Sequence, residues 1–428
     1  MLRQTAVVRG AKCESGAPGC ELGKNVSGGY LIIRAAPRFA TFAHLYIMAH
    51  STEFFSEFQP VSKADWLARI SKDLKGKALD ELYWQLSGAL RVDPFGHADD
   101  FPELPAPLNV GPLQWEICED IDADDPAAAN AQALEALNFG AESLCFQLTE
   151  PASSAFLRTL LEGVHPDFIS LQFAGPGLAK NPGAVLATLD TLAAERGLDP
   201  RALRGALRYD PAAAEGLQDW RYVADLLAYG REHFPGFTLL SVEGAGEWQG
   251  AAGVADELAA LLKRANHYFK QFADRGMNPA DAARALQLTV AVGASYFVEI
   301  AKLRALKLLW LNLLKAWSLP TAYPPLDVRF APDAYAAEEY SNLIRATTMA
   351  MSAVLGGADR LAVRPFDAGT DAPSRPAGFG RRMARNVQHL LKMESFFTEL
   401  HDPAAGSYYV EKLTLQLAEA AWTKFQAD

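Results

Sequence analysis

From Trp115 onward one pattern recurs: a short apolar, β-branched run followed by a segment with helical spacing. The strand-like runs fall at 115–120, 142–148, 168–174, 205–210, 237–243, 286–292, 326–330 and 360–367. Helical patterns follow at about 126–138, 153–162, 180–196, 213–231, 250–274, 295–317, 338–355 and 378–398. Eight β/α units at about 30–45 residue spacing predict a closed (β/α)8 barrel of the TIM type. An open doubly wound sheet is the alternative, but no GxGxxG follows any strand.

The sixth unit is the clearest. Leu286–Val292 is β-branched and closed by Gly293, and Ser295 stands where a helix N-cap belongs. In the helix that follows, Phe297, Ile300, Ala301, Leu308 and Leu311 form a stripe, which Leu303, Leu309, Trp310 and Leu313 widen nearly all round. Such a helix is buried on most sides. Glu299, Lys302, Arg304, Lys307 and Lys315 interrupt it too often for a bilayer span. Arg304 and Arg345 stand on apolar helix faces, where an unpaired charge is costly, so each should meet a carboxylate or an anionic ligand.

Outside the repeats, residues 1–51 are basic and aperiodic, and read as a disordered or non-native extension, with Met48 as a natural start. Residues 52–112 read as a helical arm and linker. Ser62 precedes an amphipathic helix bearing Trp66, Leu67, Ile70 and Leu74, Gly76 ends it, and the Pro-rich 101–112 is extended. Phe54, Phe55, Phe58, Trp66, Tyr83 and Trp84 make the arm aromatic, as a surface that covers a partner or folds back on its own barrel would be, and the partner contact is the reading preferred. The barrel then occupies 113–400, and 401–428 reads as a post-barrel linker. The net charge of −11 argues against nucleic acid and anionic membranes as partners. Cys13, Cys20, Cys118 and Cys145 contain no CxxC pair and read as free thiols of a reducing cytosol.

Barrel chemistry sits at the C-terminal strand ends. There the chain offers Glu119, Asp120, Gln147, Gln172, Asp210, Glu243, Gly293, Arg329 and Asp367. Asp120, Asp210, Glu243 and Asp367 form a conceivable acid/base set, although strand-end aspartates also cap helices. None of the eight histidines follows a strand, and no HxH or HExxH spacing points to a metal.

Four segments carry a family resemblance: FVEIAKLRALKLLW (297–310), YSNLIRATTMAMSAVLGGAD (340–359), FGRRMARNVQHLLKMES (379–395) and DPAAGSYYVEKLT (402–414). Together they resemble the methylmalonyl-CoA mutase family, cobalamin-dependent enzymes that rearrange acyl-CoA skeletons. FQPVSKADWLARISKDLKGKALDEL (58–82) is similar to the arm of that family's bacterial small (beta) subunit. The resemblance implies an acyl-CoA mutase barrel joined to a cobalamin-binding domain, whose Asp-x-His-x-x-Gly motif does not occur in this chain. The expected C-terminal cobalamin-binding domain is therefore read as absent from this chain.

Other departures concern the barrel. Gly246 stands where the family's substrate-binding histidine belongs, Arg208 where a glutamine belongs, and Ala368 replaces the glutamate after Asp367. The resemblance then implies the small subunit of a cytoplasmic heterodimer in propionate metabolism. Its partner, the large (alpha) subunit, would bind adenosylcobalamin and isomerise methylmalonyl-CoA to succinyl-CoA. This chain would bind no cofactor or metal, would hold no catalytic residue, and would fill its axis with side chains such as Phe173, Leu240 and Phe330. The alternatives are a catalytic acyl-CoA mutase barrel served by a separate cobalamin-binding chain, and a free-standing scaffold barrel.

Overall fold

A computed structural model describes residues 58–88, 90–109, 111–212, 219–368 and 378–427. Residues 62–428 make one compact unit, and 58–61 belong to a separate one. The extension 1–51, Cys13, Cys20, Phe54 and Phe55 lie outside the described residues.

The described chain opens with α1 (Lys63–Asp73), capped as expected by Ser62, whose hydroxyl accepts from Asp65 N at 3.1 Å. The short antiparallel strands β1 (Trp84–Gln85) and β2 (Arg91–Val92) follow. Eight parallel positions then form the barrel. They are β3 (Glu116–Asp122), β4 (Ser143–Gln147), β5 (Ser170–Ala174), β6 (Arg204–Leu207), the split pair β7 (Gly236–Thr238) and β8 (Leu240–Glu243), β9 (Leu286–Val292), β10 (Leu326–Phe330) and β11 (Arg360–Ala362). The sheet order is β7-β6-β5-β4-β3-β11-β10-β9-β8. Because β7 and β8 are one strand broken at Leu239, the two ends of that order meet; Ser241 N donates to Tyr209 O at 2.8 Å across the seam. This is a TIM-type α/β barrel.

The intervening helices are α2 (Pro126–Asn138), α3 (Ser154–Leu160), α4 (Pro176–Lys180), α5 (Pro182–Glu195), α6 (Trp220–His233), α7 (Val254–Ala273), α8 (Pro279–Arg284), α9 (Tyr296–Ala316), α10 (Glu339–Leu355) and α11 (Phe379–Met393). Asp125, Ser153, Asp219 and Asn278 cap α2, α3, α6 and α8 through side-chain oxygens, as residues at helix starts favour. Ser295 stands at the N-terminus of α9 but makes no side-chain cap bond. The Glu299 carboxylate in the first turn reaches back instead, accepting from Gly293 N at 2.9 Å. Among the described residues no helix is long and apolar enough to cross a membrane.

Residues 401–428, expected to be a linker, contain α12 (Tyr408–Gln426), which packs against α7 and α9. Arg304 on α9 explains why it docks. Fully buried, Arg304 donates to Asp402 and, at 2.6 Å, to Glu411, so one guanidinium ties the barrel to the segment behind it. The sequence expectation of a carboxylate partner holds here. Arg345 instead lies half-buried and points to the Ala334 carbonyl at 3.5 Å. A half-buried guanidinium keeps part of its hydration, so no carboxylate is needed there.

The arm folds back on the same helix. Lys412 pairs with Asp93 and, at 3.4 Å, with Asp100, which Lys63 also reaches. Phe101 stacks on Tyr408 at 6.3 Å between centroids, while Leu86, Leu90 and Val92 join the main core. Trp66 packs on Phe95 at 3.8 Å between centroids yet keeps 36% of its surface exposed, and Trp84 keeps 45%.

Replacing Arg304 with Leu would strand two buried carboxylates. It is expected to destabilise the protein by about 3–5 kcal/mol in chemical denaturation. A loss under about 1 kcal/mol, the range of exposed pairs, would show that the clasp contributes little.

Candidate functional site

Side chains alternate across each strand, so one residue of shift exchanges the axis for the helix layer. Phe173, Leu240 and Phe330 belong to the large core shared with the helices, and Phe173 faces Phe146 there at 5.9 Å between centroids. The expectation that these bulky residues fill the axis is therefore corrected by one register step. The axis side instead carries their neighbours Gln172, Ser241 and Arg329.

Those axis residues are polar and bond to one another across intervening strands. At the lower end, Glu116 accepts from Ser170 at 2.5 Å and from Arg360 at 3.0 Å, and Gln287 accepts from Thr238 at 3.0 Å. Higher up, Gln172 Nε2 points to Cys118 Sγ at 3.5 Å. Near the mouth, Arg208 makes a two-pronged contact with Glu243, at 3.1 Å through Nε and 2.5 Å through Nη2. Ser241 donates to the same carboxylate at 2.6 Å. Asp327, with no exposed surface, lies 3.0 Å from Arg329 Nε and 3.9 Å from Arg208 Nε, and Arg329 also donates to Asp120.

Burial works against ionising Glu243 and Asp327, but the adjoining arginines outweigh it and hold both carboxyls below their ordinary range. The thiols of Cys118 and Cys145 are free and buried. Burial pushes the Cys145 thiol up to about 11, which keeps it protonated and unreactive near neutrality.

The four carboxylates offered as an acid/base set answer to different neighbours. Asp120 faces Arg329, and Glu243 faces Arg208. Asp210 accepts from Tyr268 Oη, lies 3.5 Å from Arg264 and accepts from Ala212 N at 2.9 Å, a local bond in the turn that leaves the strand. Asp367 lies against the start of α11, where a Cβ on Gly380 would come within 1.8 Å of its Oδ1, so only glycine admits that approach. Glu119 faces away from the axis, toward Arg385 and, at 3.4 Å, Arg381. Gln147 donates to Cys145 Sγ at 3.6 Å. A Cβ on Gly246 would meet nothing within 4 Å, so the position lacks a side chain rather than room for one.

Sequence reasoning missed Asp327 and Arg360 on the axis and Arg381, Arg385 and Gln388 on α11. The alternation Leu326-Asp327-Val328-Arg329-Phe330, apolar and charged by turns, was the available signal for the first of these.

Cobalamin in the family's manner needs a histidine for cobalt. The described histidines lie elsewhere: His97 in the arm, His165 before β5, His233 and His267 in helices, His389 beside the Phe139 carbonyl and His401 before α12. These residues do not fit that group.

A closed barrel of eight parallel strands with chemistry-bearing residues at its mouth defines the TIM-barrel class. The family model described as methylmalonyl-CoA mutase matches residues 152–427. The methylmalonyl-CoA mutase small subunit of Porphyromonas gingivalis is 29% identical over 399 residues, covering 87% of this chain and 63% of that protein. The small subunit of Streptomyces virginiae is 30% identical over 407 residues, covering 87% and 64%. The large subunit from the same organism is 31% identical over 281 residues, covering 62% and 37%. The chain belongs to the methylmalonyl-CoA mutase family. It spans less than two thirds of the length of these relatives.

Beneath Gly293 lies a second buried charge cluster. Lys302 donates to Ala291 O and lies 3.2 Å from Glu257 and 2.7 Å from Glu299, all three essentially without exposed surface. Burial first, and then repulsion from Glu299, raises the Glu257 carboxyl from its ordinary 4.5 to about 7 against the pull of Lys302. A carboxyl raised on folding contributes its stability below the unfolded value, and that contribution is lost as pH climbs through the folded one. The wild type is therefore expected to lose roughly 3 kcal/mol from this group between pH ~4.5 and ~7. Glu257→Gln should flatten that slope in denaturation measured at pH 5 and pH 8; an unchanged slope would exclude this group as its source.

Proposed function

We propose that this chain acts as the small subunit of a heterodimeric methylmalonyl-CoA mutase, with its barrel serving a structural role. Isomerisation of methylmalonyl-CoA to succinyl-CoA, and the adenosylcobalamin it depends on, would belong to a large-subunit partner. Similarity to the small subunits of Porphyromonas gingivalis and Streptomyces virginiae supports the subunit role. The observation that carries the structural role is the self-paired axis: Arg208, in the place of the family's glutamine, is closed on Glu243 and next to Asp327. A thioester there would have to displace a two-pronged ion pair, and no side chain at Gly246 is present to hold it in return.

Co-expression with the large subunit encoded in the same genome is expected to give a 1:1 complex on co-purification. Methylmalonyl-CoA turnover should appear with the large subunit and not with this chain alone, each supplied with adenosylcobalamin. Turnover by this chain alone would sink the structural role, and failure to associate would sink the subunit role.

The arm is proposed as one contact of that complex, because Trp66 and Trp84 keep apolar surface exposed even with the arm folded on α12. Trp84→Ala should weaken association by about 2 kcal/mol or more if Trp84 is a central anchor. An affinity unchanged in calorimetry, with unchanged thermal stability of the free chain, would remove this residue from the interface.

A further inference from the structure

The β11 strand ends at Ala362, opposite Cys118, whereas β3 runs on to Asp122 and β10 continues beyond the residue paired with Ala362. Above Ala362 the barrel wall therefore parts, and the opening is roofed by α11. The resulting slot has a volume of about 210 Å³. Its lining takes Asp120 and Arg329 from the axis side of the wall and Glu119, Arg381, Arg385 and Gln388 from the helix side.

Three of these side chains are more than nine-tenths buried and carry polar atoms without a hydrogen-bond partner. Arg329 is 8% exposed, Arg385 2% and Gln388 0%. Arg329 commits Nε to Asp327 and Nη1 to Asp120, leaving Nη2 unpartnered. Arg385 commits Nη1 to Glu119, leaving Nε and Nη2. Gln388 accepts from Trp115 Nε1 at 3.2 Å through Oε1, leaving Nε2. Every one of these unpartnered atoms is a donor. Buried donors left unpaired are disfavoured, and guanidinium edges are best satisfied by the paired oxygens of an oxyanion.

We propose that this slot binds a small oxyanion, a carboxylate or phosphate-sized anion held by Arg329, Arg385 and Gln388. The charge of the lining agrees. The slot also touches Arg364, so four arginines face two carboxylates, Glu119 and Asp120. Asp327 and Glu135 lie beyond this lining, against Arg329 and Arg381, and offset charge from behind. The slot is too small to enclose a coenzyme A thioester, because sites for drug-sized ligands already need roughly 300 Å³ or more. The anion is thus distinct from the family's substrate, and this inference does not rest on the subunit reading. A bound anion would bridge β10 and α11, elements that otherwise meet the slot from opposite sides of the wall.

The test is thermal unfolding of the full chain titrated with sodium phosphate, sulfate, acetate and succinate, with chloride holding ionic strength constant and neutral acetamide as control. At least one oxyanion is expected to give a saturable rise in Tm, and acetamide none. A response confined to acetate or succinate assigns an organic acid, one confined to phosphate or sulfate an inorganic anion, and either supports the site. Gln388→Glu keeps the acceptor for Trp115 but replaces the free donor with a negative charge, so it should weaken the apparent affinity about tenfold or more. If that variant does not fold, Gln388→Met removes the free donor, together with the acceptor for Trp115, without adding charge and should weaken binding in the same direction. The proposal is overturned if no oxyanion gives a saturable shift, if acetamide matches the anions, or if the folded variant responds as the wild type does.

Discussion

Asp327 has no exposed surface, and it lies on the axis of a barrel whose other side is packed with apolar side chains. An isolated carboxylate in such a place would give up its charge. Here it stays ionised because Arg329 and Arg208 flank it, and that requirement passes along the axis. Arg208 in turn needs Glu243, and Arg329 needs Asp120. Each member satisfies the next, so the group stands or falls together. Removing one member of a buried pair costs about 3–5 kcal/mol, whereas exchanging a whole set for apolar residues is often neutral or better. The axis is therefore sensitive to single changes without being an efficient source of stability.

The same economy governs the outside of the barrel. Arg304 has no exposure and two carboxylate partners, both from the segment after the last barrel helix. Those partners make α12 part of the folded unit, and α12 then offers Lys412 and Tyr408 to the arm. The described arm and α12 are thus organised around one guanidinium. Neither the arm nor α12 joins the barrel sheet, so side-chain pairing takes the place that sheet register takes elsewhere.

Much of this architecture is legible in the sequence, and the physical reason is periodicity. Strands such as Leu286–Val292 and Leu326–Phe330 and helices such as Pro126–Asn138 emerge with the bounds the pattern predicts. Facing is harder to read. In a strand buried on both sides, apolar residues such as Phe173 and Leu240 look equally suited to either face, and only the closed sheet decides. Pairing is harder still: Arg304 and Arg345 look alike on their helices, yet one is fully buried with two carboxylates and the other reaches only a carbonyl at half burial. The donors of Arg385 and Gln388 had no sequence signature, because their meaning comes from the early end of β11, a boundary that propensity does not fix.

Under the proposed reading, the axis and the slot differ in how they treat buried donors. On the axis, carboxylates from the chain itself answer the arginines: Glu243 takes two edges of Arg208, and Asp327 and Asp120 take two edges of Arg329. At the slot the chain supplies too few acceptors, since Glu119 is already shared by Arg381 and Arg385 and leaves two nitrogens of Arg385, Nε and Nη2, without a partner. A barrel that only had to be filled could have closed this opening with one more apolar side chain from α11, at no cost in unpaired polar atoms. Instead Arg385 and Gln388 stand one helical turn apart, at i and i+3, which places them on the same helix face over the gap. A structural barrel can thus lose the use of its axis and still keep a polar opening in its wall, because the charged groups the two sites share are Arg329 and Asp120 alone.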